Sequence, residues 1–167
     1  QRFKDAILVH RLDCATSGIM VFARNKKAES SLKTQFQNRQ TQKTYIAEVD
    51  GVLNLQRGVI DLAIAADKLN PPKQILSASG KSAITHYKLL AQKTASSLVE
   101  LKPVTGRTHQ LRVHMLALGH AILGDDFYGD EHVIKAAKRL QLHAQSLSFN
   151  HPYSGKSMLF SSAHPFS

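Results

Sequence analysis

Cysteine is nearly absent from this chain: Cys14 is the only one in 167 residues. No internal disulfide can form, and the common Cys-rich zinc sites are excluded, which fits a reducing, cytoplasmic compartment. Tryptophan is missing altogether. No run of 18 apolar residues occurs, so nothing in the sequence reads as a membrane-spanning helix. Acidic residues are few, with 12 Asp and Glu against 22 Lys and Arg, and the formal charge is +10. An initiating methionine is also lacking; the chain opens on Gln1-Arg2-Phe3-Lys4 and reads as a piece of something longer. What is present suffices for a packed domain. Hydrophobic residues make up 43% and charged residues 20%, and a chain of this length buries enough surface to hold a core without metal or disulfide.

The positive charge is spread along the chain, with one denser segment. Arg24, Lys26, Lys27, Lys33, Arg39 and Lys43 follow one another against only Glu29. Such a segment suits a polyanion, because Lys and Arg displace counterions from phosphates. It equally suits a solvated helix face of a protein with a high isoelectric point.

The pattern predicts an α+β fold: a mostly antiparallel mixed sheet with flanking helices. Strands are expected at 6–10, 19–23, 43–49, 59–64, 74–79, 83–91, 97–102, 142–149 and 157–161, with a turn at Thr16-Ser17-Gly18 and a loop at 67–73. A helix is expected over 26–39, capped by Asn25, with Ala28, Leu32 and Phe36 as its apolar stripe. A second is expected over 108–118, capped by Thr108 and ended by Gly119, and a third over 133–140. No internal repeat or linker divides the chain.

Three segments could carry chemistry. In His10-Arg11-Leu12-Asp13, a carboxylate follows a buried strand; Asp13 is either a presented reactive group or an ordinary turn cap. In Gly106-Arg107-Thr108-His109-Gln110-Leu111-Arg112-Val113-His114, Arg107 stands just before a helix, and His109 and Arg112 share a face that His114 does not. These arginines are either partners for a carboxylate or phosphate, or surface groups on an amphipathic helix. In Lys43-Thr44-Tyr45, the tyrosine either packs in a strand or offers its ring to a base. The nine histidines show no HExxH and no tight ligand spacing, so they read as packing or surface residues, and no metal site is expected.

Taken together, these segments resemble the RluA-type pseudouridine synthases. The matching motifs are His10-Arg11-Leu12-Asp13 with Thr16-Ser17-Gly18, Lys43-Thr44-Tyr45, and Gly106 to His114, then Ile122-Leu123-Gly124-Asp125, Phe127-Tyr128-Gly129 and Leu142-His143-Ala144. They fall in the family's order across nearly the whole chain. The resemblance implies a single catalytic domain over residues 1–167 with a central active-site cleft, which isomerises uridine to pseudouridine in ribosomal RNA or tRNA stem-loops as a monomer. It implies no cofactor and no metal, since the reaction involves no net redox change. It assigns Asp13 as the essential carboxylate, Arg107 as the arginine that pairs with it, and Tyr45 as the ring that packs on the target uracil. Arg11 would fill the space left by the extruded base. His10, Lys26, Lys27, Lys33, Arg39, Lys43 and Arg112 would join Arg11 in holding RNA. The family usually carries a Lys-Pro-x-Gly strand before the first motif. Here nine residues precede His10, so the expected domain lacks its leading strands. A non-catalytic RNA-binding module of the same fold is the alternative.

Overall fold

The computed structural model describes residues 4–166. The chain runs through strands β1 (Ile7–Leu8), β2 (Ser17–Gly18) and β3 (Phe22–Ala23) into helix α1 (Lys26–Gln37). Strands β4 (Gln42–Asp50), β5 (Arg57–Asp61), β6 (Ile64–Ala66), β7 (Gln74–Leu76), β8 (Ile84–Gln92) and β9 (Ser96–Pro103) follow. Helices α2 (Gln110–Ala117) and α3 (Glu131–Lys135) precede the closing strands β10 (Leu142–Asn150) and β11 (Ser157–Ser161). The main sheet has the order β11-β10-β4-β9-β8-β5, all antiparallel, and β2 adds a short parallel pairing to β10. This is the mixed α+β sheet the sequence predicts. Among the described residues no helix is long and apolar enough to cross a membrane.

Strand β4 lies in the middle and sets the position of everything that matters. Its side chains alternate, so Lys43, Tyr45, Ala47 and Val49 look to one face. Ala47 and Val49 pack there with Val99, Leu101, Tyr87 and Ile60 of the neighbouring strands, and α2 closes the cluster with Leu111 and Met115. Residues opposed across a pair of strands share a face, so Leu147, opposite Lys43, looks the same way. Helix α1 covers that end, with Ala28 and Leu32 against Leu147 and Phe149. Gln35 fixes α1 there by exchanging two hydrogen bonds with the backbone of Asn150, at 2.9 and 2.8 Å. Both helices thus sit on one face of the sheet, and the space between them is a cleft.

The predicted elements stand with several corrections. Asn25 caps α1 by accepting from the Ala28 amide at 2.9 Å, as expected. The first strands are shorter than expected. Thr16-Ser17-Gly18 is not only a turn, because Ser17 and Gly18 pair with His143 and Ala144. The strand expected at 59–64 divides into β5 and β6, and β6 turns away to form a separate hairpin with β7. Helix α2 starts two residues later than predicted, and Thr108 is not its cap. Helix α3 occupies 131–135, because Asp130 caps it by accepting from the Val133 amide at 2.9 Å.

Candidate active site

Asp13 and Tyr45 are far apart in sequence, and β10 joins them. Ala144 of β10 pairs with Tyr45 on one side and with Gly18 on the other. Gly18 has φ +113°, and a Cβ there would lie 2.2 Å from the Ala144 carbonyl oxygen. Only glycine allows so close an approach in that conformation. The strand therefore anchors the loop before it, and Thr16 closes the turn by donating its amide to the Asp13 carbonyl at 2.8 Å. Asp13 is held at the mouth of a cleft of about 1090 Å³ whose walls include Tyr45, Gly106, Arg107, His109 and Phe127. Burial, then the Asp13 charge, pushes the Tyr45 phenol up to about 12, so it stays a neutral ring.

The arginine that faces Asp13 is Arg112, not Arg107. Its side chain is 3% exposed, and its Nη1 lies 4.0 Å from Asp13 Oδ2. It donates two bonds to Asp125, from Nε at 2.9 Å and from Nη2 at 2.6 Å, and a longer one to Asp126 at 3.3 Å. Its guanidinium lies 4.9 Å from the ring centre of Phe127 and 5.3 Å from that of Tyr128. Burial opposes its charge, but the bonds to Asp125 and the nearby carboxylates outweigh burial and hold it above its ordinary range. Asp125 also accepts the amides of Phe127 and Tyr128 at 3.0 and 3.1 Å. One buried carboxylate thus fixes both the arginine and the aromatic turn beside it. These facts correct two expectations. Arg112 is too buried and too fully engaged to hold RNA. Arg107 makes no ion pair with Asp13; its Nε donates to the Ser82 carbonyl at 2.9 Å on the wall of the cleft. The helix explains the exchange: five residues of α2 and its leading turn put Arg112 inside the fold and Arg107 outside it.

A buried polar network shapes the loop that carries Arg107. Gln110 is 4% exposed and turns its side chain back on the loop. Its Oε1 accepts from Thr105 Oγ1 at 2.7 Å and from the Arg107 amide at 3.0 Å. Its Nε2 donates to the Ile84 carbonyl and to Thr85 Oγ1, both at 2.9 Å. No side chain caps α2 in place of the Thr108 expected; Gln110 instead ties down the loop that precedes the helix. His109 takes a left-handed backbone with φ 53°, unusual for a residue with a Cβ. It is held there by Nδ1 to the Tyr128 hydroxyl at 2.7 Å. His114 is fully buried between Thr85 Oγ1 and the Leu62 carbonyl, at 2.8 and 2.9 Å, as the packing residue expected.

The remaining predicted residues divide into two groups. Arg11, Arg39 and Lys43 line the cleft. His10 lines it too, but as a structural group: its Nε2 accepts from the Val21 amide at 3.0 Å and its ring stacks on Phe36 at 4.6 Å. Burial, then the Lys43 charge, lowers it to about 4, so it carries no charge for a phosphate. Lys26, Lys27 and Lys33 do not line the cleft. Lys26 and Lys33 pair with Glu29 at 2.9 and 2.6 Å, and Lys27 lies over the Tyr153 ring. Lys26 and Lys27 stand at the far end of α1, Lys27 about 14 Å along the axis from Phe36.

Sequence reasoning missed the positioning roles of Asp125 and Gln110. Both stand in motifs it singled out, but their partners are set by tertiary contacts. Among the described residues no three His, Cys, Asp or Glu side chains converge to hold a metal ion.

Comparison with known proteins follows the same lines. The family model described as RNA pseudouridylate synthase matches residues 4–117. The dual-specificity RNA pseudouridine synthase RluA of Yersinia pestis is 51% identical over 160 residues, covering 95% of this chain and 78% of that one. The Escherichia coli K12 protein of the same name is 48% identical over 168 residues, covering 98% and 76%. Among solved structures, human RNA Pseudouridylate Synthase Domain Containing 1 superposes with a TM-score of 0.89 at 32% identity, covering 99% of this chain and 72% of that one.

Proposed function

Because the chain belongs to the RNA pseudouridylate synthase family and is an RNA pseudouridine synthase, we propose that Asp13 is the carboxylate that breaks the glycosidic bond of a uridine turned out into the cleft. One observation carries this reading: Asp13 opens on the cleft shared with Tyr45 while the buried Arg112 guanidinium faces it at 4.0 Å. A carboxylate drives this reaction either by attacking C1′ or by removing a sugar proton, and both routes need it ionised and aimed. Arg112 places a fixed positive charge beside the carboxylate and sets its direction. The N1–C1′ bond then breaks, the uracil turns, C5 bonds to C1′, and the C5 proton is lost as N1 gains one. The neutral Tyr45 ring is the surface on which the flipped base rests, and stacking of about 1–3 kcal/mol offsets the unstacking penalty.

Arg11, Arg39 and Arg107 are the cleft cations placed to meet phosphates of the substrate strand. The dual specificity in the name of the similar bacterial enzymes supports two kinds of RNA substrate, in keeping with the ribosomal RNA and tRNA stem-loops that the resemblance implies. One continuous sheet running from β5 to β11 supports reading the chain as a single catalytic domain. The non-catalytic alternative has no observation in its favour.

The test is Asp13→Asn assayed on ribosomal RNA and tRNA transcripts, with chemical mapping of pseudouridine. Turnover should fall by roughly a thousandfold or more while RNA affinity stays within about twofold, as expected for a group acting only in the reaction. Substantial product from the variant would refute the assignment.

A further inference from the structure

Lys43 has no part in the chemistry above, and its surroundings give it no other occupation. It stands on β4 two positions before Tyr45, so both side chains enter the same cleft. It is half-buried, and among the described residues it forms no hydrogen bond and no ion pair. Burial pushes its amine below the ordinary value of 10.5. A partly desolvated cation without a counterion is unfavourable in the free protein. The charge of Lys43 reaches His10, which lines the same cleft.

Opposite Lys43 stands Gly106. A Cβ at that position would lie 3.3 Å from Lys43 Nζ, close enough to crowd the ammonium. The glycine leaves this side of the cation open to the cleft.

We infer that Lys43 clamps a phosphodiester of the RNA strand beside the target uridine, with Gly106 kept bare so that the phosphate can reach the ammonium. The site takes a backbone phosphate and not the uracil, because an ammonium selects an anion and uracil is neutral. This inference rests on the pseudouridine synthase reading and names a subsite within it.

The experiment uses a stem-loop RNA that the wild-type protein converts, so that failure of conversion would count against the family reading and not this one. Binding is measured for wild type, Lys43→Met and Lys43→Arg. Lys43→Met should bind roughly tenfold more weakly, the scale of one charged hydrogen bond. Its dependence of log affinity on log salt should be shallower by roughly 0.7–0.9, the loss of one phosphate contact. Lys43→Arg should recover most of the affinity. The thermal midpoint of Lys43→Met should hold or rise, because an uncompensated cation is removed; a residue needed only for folding would lower it. A neutral methylphosphonate placed next to the target should weaken wild type and leave Lys43→Met unaffected. Affinity of Lys43→Met within about twofold of wild type, or equal sensitivity of both proteins to every methylphosphonate position, would overturn the proposal.

Discussion

The buried pair behind Asp13 and the outer face of α1 both carry charge, and they use it in opposite ways. In the buried pair, Arg112 and Asp125 have side chains 3% and 1% exposed and are joined by two direct bonds. On α1, Lys26 and Lys33 have side chains 87% and 53% exposed and share one carboxylate. Buried charge holds geometry, because each member is uncompensated without the other. Solvated charge gives long-range attraction that salt can screen. Paired charges therefore fix geometry in one place and stay open to solvent and salt in the other.

Breaking the buried pair should have the largest effect. Asp125→Ala strands Arg112 and unties the amides of Phe127 and Tyr128, and loss of one partner of a buried pair typically costs about 3–5 kcal/mol. Chemical denaturation should show that loss. Asp125→Asn, which keeps acceptors for the two amides, should lose less stability but still slow the reaction with little change in RNA binding. A variant with normal stability and rate would remove the floor from the account.

A smaller effect concerns two neutral histidines, His10 on the cleft wall and the buried His114 of α2. His10 is lowered to about 4 from 6.5, chiefly by burial, and His114 is lowered in the same direction for the same reason. Between those two values the unfolded chain binds a proton that folded His10 refuses. Stability is therefore full above pH 6.5 and declines as pH falls toward 4, by up to roughly 2–3 kcal/mol for this group. His10→Gln keeps an acceptor for the Val21 amide and cannot titrate. Urea midpoints at pH 7.5 and pH 4.5 should differ less in this variant than in wild type, and an unchanged difference would argue against it.

The smallest effect belongs to the exposed face. Lys26→Ala, Lys27→Ala and Lys33→Ala should each change stability by less than about 0.5 kcal/mol. Each should weaken RNA binding only modestly and mainly at low salt. A large loss at physiological salt from any one of them would show that α1 is a specific docking surface.

Much of this arrangement is legible from residue patterns. The alternation in β4 and the apolar stripe of α1 follow from local periodicity, and both survive in the fold. The motif order led to Asp13 and Tyr45 as well. What was not legible depended on tertiary contact. Spacing could not say which arginine turns inward: Arg107 and Arg112 are five positions apart, and only packing of α2 against the sheet separates them. Ser17-Gly18 reads as a turn, because its partner Ala144 lies at the other end of the chain. Thr108 reads as a cap, but the loop is held through Gln110, which folds back to accept the Arg107 amide and to bond Thr85.

The central claim is that Arg112, and not Arg107, governs Asp13. Single-turnover pseudouridine formation by Arg112→Lys and Arg107→Lys, at saturating protein, separates the two roles. Lysine lacks the planar fork that joins Asp125 while facing Asp13, so Arg112→Lys should lose roughly a hundredfold or more in the rate of the bound complex. Arg107→Lys keeps a cation on the cleft wall and should lose no more than several-fold, chiefly in affinity. The reverse order, with Arg107→Lys inactive once bound and Arg112→Lys near normal, would contradict the account.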